Sequence, residues 1–198
     1  GIIYYEMKGD YEAGLMWCWR SFGICEELEE KLEMSRVLNN IGENCRLQGD
    51  YDTAMAYYEQ ALQVTEELGD KRQIALALGN IGLVYKAKGN YDKGIACFDR
   101  AIAIGRELES KFYLSKHLID KADALFLLQH YEEAQALNTE GLHIAEELGD
   151  KEYMFKGKIL SIKIMFVLEN NEISRHFEDI LQQTQDKAEI ATLHYELW

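Results

Sequence analysis

Asn40 and Asn80 stand forty residues apart in matching surroundings, LNNIG and LGNIG. An amide side chain both donates and accepts, so a recurring asparagine suits recognition of a peptide backbone, each such bond contributing about 0.5–1.5 kcal/mol net. No residues stand out in the same way for catalysis. General acid–base chemistry needs a pocket that shifts a pKa, and the 35 aspartates and glutamates read as helix surface. The five histidines are scattered, with no H-E-x-x-H or other metal spacing. Cys18, Cys25, Cys45 and Cys97 include no C-x-x-C pair and fall at apolar helical phases. They read as reduced core residues of a cytoplasmic protein. No catalytic residue, metal or cofactor is expected.

Charge narrows the partner class. The formal net charge is −14, which opposes binding to a nucleic-acid backbone or an anionic membrane. Lys156, Lys158 and Lys163 come closest to a basic patch. No apolar run reaches the roughly 18 residues that span a bilayer, and no signal peptide is visible. The chain starts at Gly1 in mid-pattern, which suggests an excised domain.

The elements that must position these residues repeat. Leu28, Leu68, Leu108 and Leu148 share one phase, and the turn Gly49-Asp50-Tyr51 returns as Gly89-Asn90-Tyr91. A period between about 20 and 50 residues marks a solenoid, whose units bury their apolar faces only against neighbours. There is no proline, which favours long uninterrupted helices. Residues 1–8 read as the end of a first helix, Gly9-Asp10 as a turn, and Tyr11 to Leu28 as the second helix of a partial repeat. Full repeats then pair helices at Glu33–Gln48 and Tyr51–Leu68, Lys71–Lys88 and Tyr91–Leu108, and Lys111–Leu128 and Tyr131–Leu148. Gly69 is placed to end a helix with positive φ, and Asp70 with Gln73 forms a capping-box signature. Lys151 to Leu168 is a further helix, followed by a turn at Glu169–Asn171, a helix over 172–184 and a last helix from Lys187 to Trp198. The expected domain is a single one over 1–198, with repeats at about 1–30, 31–70, 71–110, 111–150 and 151–185 and a terminal helix from 186.

Position by position the unit resembles the tetratricopeptide repeat. The second repeat supplies Leu38, Ile41-Gly42, Cys45, Gly49, Tyr51, Ala54, Tyr58 and Ala61. The third supplies Leu78, Ile81-Gly82, Tyr85, Gly89, Tyr91, Gly94, Phe98 and Ala101. The fourth supplies Leu118, Lys121-Ala122, Leu125, Gln129, Tyr131, Ala134, Asn138 and Gly141. The small residues at Gly42, Gly82, Ala54 and Gly94 let two helix backbones approach closely. A glycine inside a helix costs up to about 1 kcal/mol against alanine, and close packing is the expected compensation. The longer period is similar to the extended subgroup that includes LGN/Pins, kinesin light chains and bacterial regulators.

That resemblance implies an all-α fold, a right-handed α-solenoid of antiparallel helix pairs. It also implies a protein-interaction scaffold without enzymatic activity, with a concave groove lined by the first (A) helix of each pair that takes a peptide or a partner's helix. The groove positions carry over to Arg36, Asn39, Asn40, Glu43 and Arg46 in the second repeat. The third contributes Gly79, Asn80, Leu83 and Lys86; the fourth contributes Lys116, Ile119, Asp120, Asp123 and Phe126. The fifth would add Lys156, Ile159 and Lys163. The chaperone-binding carboxylate clamp is not matched, because Asn39, Glu43 and Asp120 stand where Lys, Asn and Arg are required. Glu43, Asp120 and Asp123 suggest a basic or mixed-charge ligand. The aromatic stripe of Trp17, Trp19, Phe22, Tyr57 and Tyr58 reads as core or interface packing. Apolar surface at Ile2, Ile3 and Tyr4 would be covered by a homodimer through the exposed terminal repeat, or by an upstream repeat. A second function class is the sensing arm of a larger bacterial signalling protein or transcription regulator, reading a signalling peptide as Rap-type regulators do.

Overall fold

A computed structural model describes the backbone of residues 2–168 and the side chains of residues 14–168. Among the described residues the chain is all helical: α1 (Ile2–Glu27), α2 (Lys31–Leu47), α3 (Tyr51–Leu68), α4 (Lys71–Ala87), α5 (Tyr91–Glu107), α6 (Lys111–Leu127), α7 (Tyr131–Leu148) and α8 (Lys151–Leu168). Helix starts have a chemical cause in three cases. Asp50 accepts a hydrogen bond from the Thr53 amide, Asp70 from those of Arg72 and Gln73, and Asp150 from that of Tyr153. Such caps satisfy amides that the first helical turn leaves without partners.

Helix ends follow one design. Residues Glu29, Gly49, Gly69, Gly89, Glu109, Gln129 and Gly149 all have positive φ, one every twenty residues. At each of them two carbonyls of the last turn are satisfied from beyond the helix. At the end of α2, the Asp50 amide donates to the Cys45 carbonyl at 2.9 Å and the Gly49 amide to that of Arg46 at 3.0 Å. This is the Schellman arrangement, and it reverses the chain within three residues. The sequence period is therefore two copies of a twenty-residue helix-and-turn module.

The chain divides into two compact units, Gly1–Tyr113 and Leu114–Trp198. In the first, Val37, Ile41, Cys45, Ala54, Tyr58, Ile81 and Val84 form a buried cluster joining α2, α3 and α4, with Leu15, Cys18, Phe22 and Cys25 of α1 packed against it. A second cluster of Ala75, Leu78 and Ala101 joins α4 to α5. The packing glycines act as expected: a Cβ added to Gly42 would lie 2.7 Å from the Tyr58 ring, and one added to Gly94 would lie 3.0 Å from the Gly82 carbonyl oxygen. In the second unit, Ile119, Ala145 and Tyr153 form a buried cluster joining α6, α7 and α8. There the Ser115 hydroxyl donates to the Gly141 carbonyl at 3.1 Å, and the Asn138 amide donates to the Gly157 carbonyl and the Ser161 hydroxyl, both at 2.8 Å.

The helix limits expected from sequence are met within two residues from α2 onward. The N-terminus differs, since α1 continues through Gly9-Asp10 where a turn was expected. Gly9 inside a helix costs only up to about 1 kcal/mol against alanine, and no proline interrupts the run from Ile2 to Glu27. Only half of the expected capping box forms. The Asp70 amide is already committed to the Thr65 carbonyl at 3.1 Å, so Gln73 has no donor to reach back to, and its Oε1 is buried without a hydrogen-bond partner. Of the aromatic stripe, Tyr58 of α3 is fully buried and Trp19 of α1 packs edge-on against Phe22 and Tyr57, whereas Trp17 is largely exposed. The elements expected beyond Leu168 lie outside the described residues.

Candidate peptide-binding face

In the first unit, α2 and α4 are successive A helices, and residues spaced i, i+3 and i+4 share a helix face. One such face of α2 carries Leu32, Arg36, Asn39 and Asn40, Glu43 and Arg46. The equivalent face of α4 carries Arg72, Leu76, Gly79 and Asn80, Leu83 and Lys86. The two helices meet at the asparagines. The Asn80 Nδ2 donates to Asn39 Oδ1 at 3.4 Å, and Asn39 Nδ2 donates to the Ser35 carbonyl at 3.2 Å. Both asparagines are buried, while Asn40, the sequence equivalent of Asn80, is exposed. Asn39 and Asn80 thus form the floor between the two helices, and Asn40 stands on its rim.

Charge on the rim is partly matched within α2 itself. Arg36 Nη1 donates to Glu33 Oε1 at 2.5 Å, with both side chains about half exposed. Glu43 accepts from Nε and Nη2 of Arg46, at 2.8 and 2.6 Å, and from the Tyr58 hydroxyl at 2.8 Å. A two-pronged arginine–carboxylate pair is among the stronger charged contacts. The hydrogen bond to Glu43 raises the Arg46 pKa, and burial together with Glu43 raises that of Tyr58. Glu43 therefore ties α2 to α3 as well as facing outward. Leu76 and Leu83 are half-buried and supply the apolar part of the face.

At the N-terminal end of the face lies Tyr113, half-buried against the Ala75 and Leu78 cluster. Burial raises its pKa, and Arg72 and Arg36 both act to lower it, with Asp70 opposing them. Arg36 and Arg72, on successive A helices, therefore both act on this phenol through their charge. Sequence reasoning missed Arg72 and Tyr113. Arg72 lies one turn before Leu76 at the shared phase, a signal that was available; the position of Tyr113 depends on tertiary packing.

The second unit is taken by itself. On α6, Lys116 and Asp123 are half-buried and Ile119 and Asp120 are buried. The Tyr153 hydroxyl of α8 donates to Asp120 Oδ2 at 3.4 Å, and burial followed by the Asp120 charge raises the Tyr153 pKa. On α8, Ile159 is buried and Lys156 is exposed, donating to Glu152 at 2.7 Å. Beside Lys116, His117 is completely buried, and burial with the Lys116 charge pushes its pKa down to about 3. Among the described residues, no group of three or more His, Cys, Asp or Glu side chains is arranged to hold a metal, and no helix is long and apolar enough to cross a membrane.

A comparison with family models matches the tetratricopeptide repeat over residues 1–67 and 73–147. A comparison with curated proteins finds no match. Among solved structures, the apo form of RapI is similar at a TM-score of 0.75 and 24% identity, over 92% of this chain and 66% of that one. The Rap conjugation gene regulator of plasmid pLS20, solved in complex with a Phr peptide, is similar at a TM-score of 0.75 and 22% identity, over 93% of this chain and 50% of that one. Aspartyl phosphate phosphatase F from Bacillus subtilis is similar at 0.72 and 17% identity, over 98% of this chain and 56% of that one. The chain spans two thirds or less of each of these three, and at these identities the likeness establishes the fold.

Proposed function

Because the chain belongs to the tetratricopeptide repeat family, we propose that it is a protein-interaction module that binds a peptide segment or helix of a partner on the open face of its A helices. In the first unit that face consists of Arg36, Asn39, Asn40, Glu43, Asn80 and Leu83, with Asn39 and Asn80 shaping its floor. Lys116, Asp120 and Asp123 hold the corresponding positions on α6, with Asp120 acting through Tyr153. The observation that carries the reading is the Asn80–Asn39 hydrogen bond. It joins α2 and α4 along one edge and leaves exposed Asn40 and half-buried Leu83 beside the seam. A solved structure with this fold, the pLS20 Rap regulator, has a Phr peptide bound, which supports a peptide as the ligand.

We read residues 1–198 as one non-enzymatic domain of a cytoplasmic protein, without affinity for nucleic acid or membrane. Four free cysteines fit a reducing compartment. A second reading is the sensing arm of a larger signalling protein. It is favoured by the lengths of RapI and the pLS20 regulator, of which this chain spans 66% and 50%. A peptide array probed with wild type and with the Asn40→Ala/Leu83→Ala double variant tests the shared core of both readings. Selective loss of the bound peptides by the folded variant supports the face; identical arrays for the two proteins overturn it.

A further inference from the structure

The outward positions of the second (B) helices carry small or polar side chains, with one exception. Ala56, Glu59 and Gln63 of α3, Ala96, Asp99 and Ala103 of α5, and Ala136, Thr139 and His143 of α7 are all exposed. One period earlier, α1 places Met16, Trp19 and Gly23 at these positions. Met16 and Trp19 are 60% and 47% exposed, so α1 sets large apolar side chains where its counterparts meet water. A further repeat stacked on α1 would not cover them. In the same unit α5 has α3 and α4 before it, and its Ala96, Asp99 and Ala103 stay exposed. Trp17, Ile24 and Leu28 extend the patch along the adjoining flank, each at least half exposed.

Gly23 is an independent sign. A glycine inside a helix costs up to about 1 kcal/mol against alanine, and elsewhere in the described helices close packing accounts for it. A Cβ added to Gly14, Gly42, Gly82, Gly94, Gly141 or Gly157 would lie within 3.2 Å of a neighbouring group. A Cβ added to Gly23 would meet nothing within 4 Å. The missing side chain leaves room for another helix to approach α1 closely.

Charge says which helix fits. Arg20 and Glu27 share a face of α1, seven residues and about 10 Å apart, too far to pair with each other. Place two α1 helices antiparallel about a two-fold axis between Gly23 and Ile24. Position 20 of each copy then lies opposite position 27 of the other, and the contact occurs twice. In the same register Ile24 meets Ile24 of the second copy beside the open glycines, and Trp17 comes level with its Leu28. An aromatic side chain buries about 150–250 Å² in full, so the five exposed apolar residues offer roughly 500 Å² per copy. That exceeds what monomers commonly leave open in one patch and makes up most of the ~800 Å² per partner of a standard interface.

We infer that α1 is a self-association surface, through which two copies of this chain pair antiparallel with Arg20 of each against Glu27 of the other. It involves none of the A-helix residues proposed to bind peptide, so the inference goes beyond that reading. It also moves the homodimer contact expected from sequence, since Ile2, Ile3 and Tyr4 lie outside the residues whose side chains are described.

Sedimentation velocity on the full chain, between about 1 and 100 μM, tests the pairing. The wild type is expected to pass from monomer to dimer across that range. Gly23→Leu adds a side chain that meets nothing in the monomer and improves helix propensity. Its urea midpoint should not fall, while its dimer should weaken at least about tenfold. Arg20→Glu and Glu27→Arg each set like charges opposite one another and should each weaken the dimer about tenfold. The double variant Arg20→Glu/Glu27→Arg restores opposite charges across the axis and should return association to within about threefold of wild type. Circular dichroism verifies that every variant folds. A chain that stays monomeric at the highest concentration overturns the inference. So does a dimer indifferent to Gly23→Leu, which would form through another surface. Single reversals that weaken the dimer without recovery in the double variant overturn the antiparallel register.

Discussion

A Cβ built on Gly82 would sit 2.6 Å from Cε1 of Phe98, so this glycine of α4 exists to admit the ring of α5. Gly42 stands in the same relation to Tyr58, at 2.7 Å. The next repeat changes both partners of the register at once, with Ala122 in place of the glycine and Asn138 in place of the ring. Gly82→Ala should therefore destabilise the protein by about 1–2 kcal/mol, because overpacking costs about 1–3 kcal/mol and outweighs alanine's helix preference of up to about 1 kcal/mol. Urea denaturation reads the loss, and Phe98→Leu in the same chain should recover part of it. An unchanged or higher urea midpoint for Gly82→Ala would refute the packing role.

Gln129 has φ 66°, the conformation that Gly49 and Gly89 hold in the two preceding repeats. A side chain there costs roughly 1–2 kcal/mol per residue, offset in part because glycine loses more freedom on folding. Gln129→Gly is expected to raise stability by about 0.5–1 kcal/mol. Thermal denaturation should show a small upward shift, whereas the same change at Gln63, inside α3, should lower the midpoint.

How far these features could be read in advance depends on their range. From α2 to α8 the helices and turns were legible because each is fixed within about twenty residues: an apolar stripe, a turn glycine, a capping aspartate. The glycine-and-ring register was legible too, since Gly42, Gly82, Tyr58 and Phe98 repeat at one spacing. The candidate face was legible in helical phase and not in exposure. Asn40 and Asn80 look alike in sequence, yet one is exposed and the other buried, because burial depends on what the adjacent helix presents. Asn39 presents an amide to Asn80. The role of Glu43 was hidden for the same reason, since its bond to Tyr58 crosses fifteen residues of sequence.

Asn39 and Asn80 should behave as a coupled pair. Removing either side chain leaves a polar atom of the other buried without its partner, at about 1–3 kcal/mol. Asn39→Ala and Asn80→Ala should each be destabilising, and the double variant should cost less than their sum by about 0.5–1 kcal/mol. Strict additivity in denaturant midpoints would show that the 3.4 Å contact contributes nothing.

Tyr58 gives Glu43 its hydrogen bond between helices, at 2.8 Å, from a completely buried ring. Tyr58→Phe keeps the ring and deletes the donor, so it should cost about 1.5–3 kcal/mol, as expected for a bond to a charged acceptor. In a Glu43→Gln background the same change should cost less, since the acceptor is then neutral. Equal costs in both backgrounds would mean that Tyr58 acts through packing alone.

His117 should make the protein acid-sensitive before its carboxylates do. Its native pKa lies near 3, lowered by burial and then by Lys116, against about 6.5 in an unfolded chain. The unfolded state therefore takes up the proton first as pH falls. The contribution to stability is complete above about pH 6.5 and is lost progressively toward pH 3, at up to about 1.4 kcal/mol per pH unit. Between about pH 6.5 and 5 ordinary carboxylates hardly titrate, so that interval isolates the imidazole. Urea titrations across it should show falling stability for wild type and a flatter profile for His117→Leu, whatever the variant's stability at neutral pH. Parallel profiles would mean that the buried imidazole takes up its proton in the native state as readily as in the unfolded one.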